Sequence, residues 1–422
     1  MASDDTRPNA PPRWRARIFS ISWLSYFSYY FTRKNYSVVK SSLGLAADDL
    51  KFIDFFYLTA YAVGQFVNGF LGDVIGARRL LGAGMLLSAG LAFVFGAGDG
   101  FAIFAIAFGL NGLVQATGWP GNGKLMAAWF SSSERGEVMG LWGTCYQAGG
   151  LAATAVATFI LVRFGWRWAY IGNALWVAVV AIGVILLVRN HPSDVGFRDP
   201  NSDGSGAEDE QERKRKRREA WPKVLKNPMT WFMGANYFCM KLTRYSLLFW
   251  LPYYFNQGLG YDKGKAGYMS LSFEAGGVLG VIAAGYAADR LFGRRRVAVA
   301  AAMTAGLAGA MWLYGSVGAT SAGANFMTMM LVGALLFGPD SLISGAVSQD
   351  LGGPHAAALA CGLVNGLGSI GAILQSFLTV YVAEVYGWDA LFKVFVVLAV
   401  VATITLIPFF RVGPRDEPAA PK

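Results

Sequence analysis

Two arginines inside apolar stretches are the residues of this sequence that most need a functional explanation. Arg33 lies in the hydrophobic segment 18–43, and Arg244 lies in a second one, 229–255. Each segment is typical of a membrane-spanning helix, and a basic residue at the centre of such a helix costs roughly 2.5–3.5 kcal/mol. Both arginines lie about fifteen residues, or about 22 Å, into their segments, near the middle of a bilayer. The matched depths predict one central anion site between two halves of the chain; the alternative is that each arginine snorkels or pairs locally.

Tyrosines accompany the first arginine. Tyr26, Tyr30 and Arg33 are spaced i, i+4 and i+7, which puts all three on one face of a helix. Phenol hydroxyls and a guanidinium all donate hydrogen bonds, so this face suits an oxyanion. We therefore expect Tyr26 and Tyr30 to line the site beside Arg33.

A lysine accompanies the second arginine. Lys241 precedes Arg244 by one helical turn, so the two cations are expected to share a face and to repel each other unless an anion lies between them. A phosphate monoester has a second pKa near 6 and carries close to two negative charges at neutral pH. We expect Lys241 to help select a dianionic head group. The alternative is that Lys241 points at lipid headgroups or pairs with a distant acid.

The composition excludes an ordinary soluble protein. The 422 residues are 55% hydrophobic and 15% charged, which is typical of a chain with many membrane spans. The formal charge of +10 is concentrated in loops, so we expect a lipid bilayer and no nucleic acid as partner. The three cysteines lie in apolar segments, the two histidines lie at span edges, and no Ser/His/Asp grouping is visible. The sequence predicts no enzyme, no metal and no cofactor.

The apolar segments form two sets of six, which predicts an all-α integral membrane protein with twelve transmembrane helices. A turn rich in glycine and arginine follows the second segment of each set, at 69–79 and 285–296, and indicates an internal duplication. The predicted domains are an N-terminal six-helix half, 1–189, a cytoplasmic linker, 190–227, and a C-terminal six-helix half, 228–422. The predicted spans are 18–43, 52–71, 80–96, 101–130, 138–162, 166–188, 229–255, 265–291, 297–317, 324–347, 356–385 and 390–410.

The loops predict the orientation of the chain in the membrane, and one span contains a break. Basic residues fill the N-terminus, both repeated turns, the linker and the C-terminal end, so both termini and the linker are expected in the cytoplasm. The fourth span is interrupted at 118–124, which includes Trp119, Pro120 and Lys124. Such a break is tolerated where neighbouring groups or cavity water satisfy the backbone. It therefore either lines the substrate cavity, with Trp119 and Lys124 in the site, or is a packing kink.

The motifs resemble those of a known family. The turn 69–79, GFLGDVIGARR, resembles the loop signature of the major facilitator superfamily, whose fold has two pseudo-symmetric six-helix halves. Further motifs between about residues 26 and 392 resemble the organophosphate:phosphate antiporters, with a leaning toward the sugar-phosphate exchangers, and that family also includes glucose-6-phosphate translocases and glycerol-3-phosphate transporters. These motifs are YFTRK at 30–34, YAVG at 61–64, GLVQ at 112–115, GWP at 118–120 with Lys124, HPSDVG at 191–196, Arg244-Tyr245 with Trp250, and Gly338-Pro339.

The resemblance assigns roles to four of these residues. It implies that Arg33 and Arg244 clasp the phosphate, and the planar fork of arginine suits bidentate bonds to phosphate oxygens. It also implies that Lys34 forms an ion pair that rearranges during transport, with Glu274 as the acid in the eighth span. A second acid of the family is absent, because Phe249 occupies its place.

Three departures from the family pattern bear on the substrate. Gln65 replaces a common lysine, Tyr146 replaces a histidine of the glycerol-phosphate transporters, and Lys241 replaces a tyrosine. One cation has thus left one wall of the site and another has appeared beside Arg244. We expect Gln65 and Tyr146 to meet the organic part of the substrate, and the sequence does not name that substrate.

The function expected from this resemblance is exchange of an organic phosphate ester for inorganic phosphate by alternating access. The protein is expected to be a monomer in a bacterial cytoplasmic membrane. One alternative is a proton-coupled symporter of a carboxylate or another organic anion, which would need a titrating carboxylate such as Asp54, Glu274 or Asp340 in the cavity. Another alternative is a membrane-bound sugar-phosphate sensor.

Overall fold

The computed structural model describes residues 8, 10–131, 134–200, 210–293 and 295–412. In these ranges the regular structure is helical, which confirms the predicted all-α class. The first nine helices are α1 (Pro12–Tyr29), α2 (Lys34–Val39), α3 (Ala47–Ile75), α4 (Ala77–Ala97), α5 (Phe101–Gln115), α6 (Gly118–Trp129), α7 (Arg135–Trp142), α8 (Thr144–Phe164) and α9 (Trp166–Leu187). The remaining helices are α10 (Glu210–Lys226), α11 (Pro228–Tyr253), α12 (Lys263–Tyr286), α13 (Arg296–Val317), α14 (Ala322–Ser341), α15 (Ser348–Tyr386) and α16 (Trp388–Leu406).

Nine helical stretches of the described chain are long and apolar enough to cross a membrane. They match nine of the predicted spans, and the other three predicted spans fall on α1 with α2, on α3 and on α11. These three carry the charged residues Arg33, Asp54 and Arg244, among others, which lowers their hydropathy. The chain is an integral, multi-pass membrane protein, and the number twelve stays a prediction.

The chain divides into two compact units. The first contains Met1–Ala207 and Gly260–Tyr268, and the second contains Glu208–Leu259 and Met269–Lys422. The division after residue 207 lies inside the stretch 190–227 that the sequence predicts as a linker. The exact halves, 1–189 and 228–422, stay a prediction.

Glycines bring the helices of the first unit close together. A side chain at Gly64 of α3 would lie 2.7 Å from the carbonyl oxygen of Leu113 in α5, and one at Gly112 of α5 would collide with the carbonyl of Tyr57. Small residues at such positions let backbones approach and gain dispersion contacts, which is how membrane helices associate. This packing fixes α5, whose last residue is Gln115, against α3.

The second unit uses the same device. Side chains at Gly276 and Gly280 of α12 would collide with the carbonyls of Met330 and Ala334 in α14. A side chain at Gly371 of α15 would collide with the carbonyl of Phe238 in α11. The close packing of α12 on α14 and of α11 on α15 sets the positions of the charged residues on α11 and α14.

Candidate functional site

The first predicted span is broken at Arg33. The sequence predicts a membrane-spanning helix over 18–43, and the structure shows helix there with an interruption: a 3₁₀ turn, Tyr30–Thr32, separates α1 from α2. Arg33 follows the turn, and its backbone N–H donates to the carbonyl of Tyr30 at 3.1 Å instead of to that of Tyr29. The sequence gave no warning of this break, because no proline or glycine lies near it.

Side chains of α5 satisfy the backbone groups that the break exposes. The Nε2 group of Gln115 donates to the carbonyl oxygen of Tyr29 at 2.9 Å, and Nδ2 of Asn111 donates to that of Thr32 at 2.8 Å. Backbone carbonyls at membrane depth must find such partners, since an unsatisfied group costs several kcal/mol. The buried amides of α5 therefore stabilise the irregular turn that carries Arg33.

The guanidinium of Arg33 is held by an amide and by aromatic rings. Its Nε donates to Oε1 of Gln115 at 3.2 Å, and its Cζ lies 5.1 Å from the ring centroid of Tyr30 and 4.8 Å from that of Tyr61. The residue is 9% exposed. In the described part of the chain no carboxylate pairs with it. A buried cation fixed in this way lacks a counter-ion, and an oxyanion would supply one.

The amide of Gln115 is in turn fixed by a buried network of hydroxyls. Its Nε2 also donates to Oγ1 of Thr32 at 2.7 Å, and the hydroxyls of Thr32 and Ser88 lie 2.8 Å apart. Ser88 donates to Oδ1 of Asn111 at 2.7 Å. Because Nε2 donates into this network, the amide oxygen of Gln115 is directed at Arg33.

Tyr26 and Tyr30, which the sequence predicts to line the site, lie near Arg33. Their surroundings are mainly aromatic. The ring centroids of the two tyrosines are 6.2 Å apart, and Tyr26 also contacts Trp119 at 5.9 Å and Trp142 at 5.2 Å. Trp119 is 48% exposed, whereas Trp142 is fully buried. Trp119 thus presents its ring next to Tyr26, and Trp142, which the sequence reasoning missed, supports both rings from within the core.

Three other predicted residues of the first unit lie at different places in the structure. Gln65 is half-buried on α3, and Tyr146 packs against the aromatic core that contains Tyr26 and Trp142. Lys124 donates to the carbonyl of Gly72 at 2.8 Å and lines a cavity of about 240 Å³ with His191. The structure therefore places Lys124 at the end of α3, by the glycine- and arginine-rich turn. The fourth span breaks between Gln115 and Gly118, just before the predicted interruption.

In the second unit, Arg244 is paired with an acid. Its Nη1 donates to Oδ2 of Asp340 at 2.7 Å, and its Cζ lies 4.4 Å from the ring centroid of Phe337. The side chains of Arg244 and Asp340 are 16% and 10% exposed. Asp340 follows Pro339 near the end of α14, so the Gly338-Pro339 motif carries the acid that meets Arg244.

Lys241 points to a different helix. Its Nζ donates to Oδ1 of Asn365 at 3.0 Å and to Oγ of Ser369 at 3.3 Å, both on α15. Gly368 makes room for this crossing, because a side chain there would lie 3.0 Å from Cδ of Lys241. The two cations of α11 thus share a face but have different partners, and the role of Lys241 toward an anion stays a prediction.

The predicted pair Lys34 and Glu274 has one member in each unit. Lys34 begins α2 and is 5% exposed, and Glu274 lies in α12 and is 6% exposed. Both are buried charges, as expected of residues that exchange partners during transport. Their mutual pairing stays a prediction.

The structure adds a buried ion pair that sequence reasoning missed. Nζ of Lys40 lies 3.1 and 2.8 Å from the two carboxylate oxygens of Asp54, and both side chains are completely buried. Nζ also lies 4.7 Å from the ring centroid of Tyr36. The sequence signal was available, since Lys40 and Asp54 are opposite charges in two successive apolar segments. The pair joins the chain after α2 to α3.

These features define a class of protein: a multi-pass helical membrane protein of two compact units, each with an arginine inside the membrane-spanning region. The family model described as Major Facilitator Superfamily matches residues 18–376 and 237–422 of this chain. A structure of a bacterial homologue of the human lysosomal transporter Spinster has a TM-score of 0.77 at 14% identity, covering 95% of this chain and 97% of that one. The D-xylose-proton symporter has a TM-score of 0.73 at 14% identity, covering 94% and 98%. The chain belongs to the Major Facilitator Superfamily and is not an enzyme.

Known proteins with similar sequences confirm the resemblance to the organophosphate:phosphate antiporters. The membrane sensor protein UhpC of Salmonella typhimurium is 29% identical over 426 residues, which cover 96% of this chain and 93% of UhpC. The protein named "Putative glycerol-3-phosphate transporter 2" of Arabidopsis thaliana is 30% identical, covering 97% and 90%. The "Probable hexose phosphate transport protein" of Chlamydia pneumoniae is 27% identical, covering 96% and 92%.

Proposed function

We propose that this protein exchanges an organic phosphate, a sugar phosphate or glycerol phosphate, for inorganic phosphate across a bacterial cytoplasmic membrane. The observation that carries the proposal is Arg33, a buried guanidinium that is oriented by Gln115 and two tyrosine rings rather than by a carboxylate. Arginine binds phosphate through parallel charge-assisted hydrogen bonds, which makes it suited to this anion. Relatives named as transporters of glycerol-3-phosphate and of hexose phosphate support the same substrate class.

The proposal gives each unit one phosphate-binding arginine, Arg33 in the first and Arg244 in the second. Tyr30 and Tyr26 stand beside Arg33, and Trp119 offers an exposed ring on which a sugar face can pack. Lys241 adds positive charge near Arg244, while Gln65 and Tyr146 are proposed to meet the organic part. Alternating access then exposes the bound phosphate first to one side of the membrane and then to the other.

Exchange has a physical reason in these charges. A cavity that holds an uncompensated cation, as proposed for Arg33, resists occlusion, because closure would remove that charge from water. A bound phosphate monoester carries close to two negative charges at neutral pH and compensates the cations. The loaded protein therefore changes conformation readily, and the empty one does so slowly.

The first prediction tests the two arginines. Arg33→Lys and Arg244→Lys keep the charge but lose the planar fork, so each should weaken phosphate binding by about tenfold or more. Isothermal titration of the purified protein with inorganic phosphate measures this. Arg167→Lys and Arg296→Lys are matched controls, because these arginines lie in more exposed ion pairs with Asp99 and Asp350. Near-normal affinity in both test variants would remove the basis of the proposal.

A sensor is the second candidate function, because the similar protein UhpC is named a membrane sensor. A sensor would bind the phosphate ester but would exchange it slowly across the membrane. Comparing binding with counterflow of labelled phosphate in the same preparation separates the two functions. Binding without counterflow would favour the sensor.

Proton-coupled symport of an organic anion has less support. Of its three candidate acids, Asp54 is fully buried against Lys40 and Asp340 is paired with Arg244. Two of the three candidate carboxylates are thus already engaged by cations of the protein itself. A pH gradient imposed on the proteoliposomes would drive uptake under symport and would leave strict exchange unaffected.

A further inference from the structure

The two phosphate-binding arginines differ in their counter-ions. Arg33 is surrounded by an amide and tyrosine rings, whereas Arg244 donates to the carboxylate of Asp340 at 2.7 Å. This difference is not implied by the internal duplication, which would give both arginines similar surroundings. It assigns a particular task to Asp340.

Building on the proposed function, we infer that Asp340 is an internal counter-anion, which occupies Arg244 when phosphate is absent and is displaced when phosphate binds. A carboxylate and a phosphate offer a guanidinium the same kind of acceptor oxygens, so they compete for the same donors. Once phosphate is bound to Arg244, the negative charge of Asp340 repels the phosphate at short range. Asp340 thus weakens phosphate binding and compensates Arg244 in the empty protein.

The geometry of the pair Arg244–Asp340 fits an ion pair that phosphate can displace. Only Oδ2 of Asp340 accepts from Arg244, and Oδ1 is buried without a hydrogen-bond partner among the residues that the structure describes. A buried ion pair is most stable when additional hydrogen bonds satisfy its remaining lone pairs. The buried pair Lys40–Asp54 shows the contrast, because both oxygens of Asp54 lie within 3.1 Å of Nζ of Lys40.

The surroundings keep the pair available for exchange. The guanidinium of Arg244 rests 4.4 Å from the ring centroid of Phe337, one turn before Asp340 on α14. This ring can hold the cation in place while its oxyanion partner changes. The ammonium of Lys241 donates to Asn365 and Ser369 on α15.

The second prediction is that Asp340→Asn and Asp340→Ser bind inorganic phosphate about tenfold more tightly than the wild type, since a close charged competitor has been removed. Asp340→Glu keeps a carboxylate and should stay close to the wild type. Asp350→Asn is the matched control, because it removes a carboxylate from the more exposed pair with Arg296 and should leave the affinity unchanged. The measurement is isothermal titration of detergent-purified protein with phosphate.

Thermal unfolding separates competition from a purely structural role. Removal of Asp340 leaves the largely buried guanidinium of Arg244 without this ion-pair partner, so the melting temperature without phosphate should fall in the Asn and Ser variants. Phosphate should then raise the melting temperature of these variants by more than it raises that of the wild type, because stabilisation grows with the ratio of ligand concentration to Kd. Affinity equal to or weaker than that of the wild type would overturn the inference. If the wild type itself binds no phosphate, the proposed function fails and the inference fails with it.

Discussion

Gln115 is the residue on which the orientation of Arg33 depends. It accepts from the guanidinium through Oε1 and donates through Nε2 to the carbonyl of Tyr29 and the hydroxyl of Thr32. A single amide thus joins the guanidinium of Arg33 to the irregular turn that carries this residue. Its removal affects both.

The third prediction follows from these contacts. Gln115→Leu leaves Arg33 Nε without its acceptor and removes a donor from the carbonyl of Tyr29, which keeps only the longer hydrogen bond from Thr32 Oγ1, so it should cost about 1–3 kcal/mol of stability. It should also weaken phosphate binding, because the guanidinium loses its fixed direction. Gln115→Glu should bind phosphate more weakly still, since a carboxylate beside Arg33 competes with the anion. Gln257→Leu is the control, because Gln257 is exposed and donates only to its neighbour Asn256. Unchanged phosphate affinity in both Gln115 variants would contradict the role given to Gln115.

For single residues, the sequence predicted which side chains are unusual better than it predicted which residues they contact. The cost of a cation in an apolar span identified Arg33 and Arg244 directly. It could not predict that Arg244 would meet Asp340 or that Lys241 would reach Asn365, because the two partners are far apart in sequence. Buried amides and hydroxyls such as Gln115 and Ser88 give only a weak signal, since polar residues of this kind also occur in spans as packing contacts.

The break between α1 and α2 is the irregular element that carries Arg33. It was missed because neither proline nor glycine marks it, and the amides that stabilise it belong to α5, more than seventy residues later in the chain. The interruption that the sequence did predict, at 118–124, contains Pro120. The structure puts the break just before this stretch, at the end of α5. Local signals therefore located one break and tertiary contacts determined the other.

The pair Lys40–Asp54 connects the end of this broken span to α3, and the fourth prediction concerns it. Because both side chains are completely buried, Lys40→Met or Asp54→Asn alone leaves an uncompensated charge and should destabilise the protein by about 3–5 kcal/mol. The double variant Lys40→Met with Asp54→Asn removes both charges and should recover part of that loss. Thermal or denaturant unfolding of the four proteins gives the coupling between the two sites. A double variant that loses the full sum of the two single losses would show that the pair contributes little.

For the whole molecule, hydropathy and the repeated turn predicted the fold class, and the resemblance of the turn 69–79 to a known loop signature predicted the superfamily; comparison with known proteins confirms both. This succeeded because a bilayer permits few solutions: every backbone polar group must be satisfied inside the protein, so long apolar segments become helices. The spans with buried charges are the weaker part of that prediction, and they carry Arg33, Asp54 and Arg244. Charged residues inside a span lower its mean hydropathy, so the segments that carry the proposed site are the ones that composition detects least well.

The orientation of the whole chain and the transported substrate stay predictions. Placement of both termini and the linker in the cytoplasm rests on the distribution of lysine and arginine in the loops. The coupling of Lys34 to Glu274, one in each unit, rests on the family resemblance and on the burial of both charges.

The fifth prediction concerns counterflow in proteoliposomes, which tests the central claim most directly. Vesicles loaded with labelled inorganic phosphate are diluted into medium that contains unlabelled phosphate, a sugar phosphate, glycerol phosphate, or none of these. We expect rapid loss of label with phosphate and with at least one ester, slow loss without an external anion, and no response to an imposed pH gradient. Arg33→Lys vesicles should lose label slowly in every medium. Equal rates of loss with and without an external phosphate compound would contradict the proposed exchange.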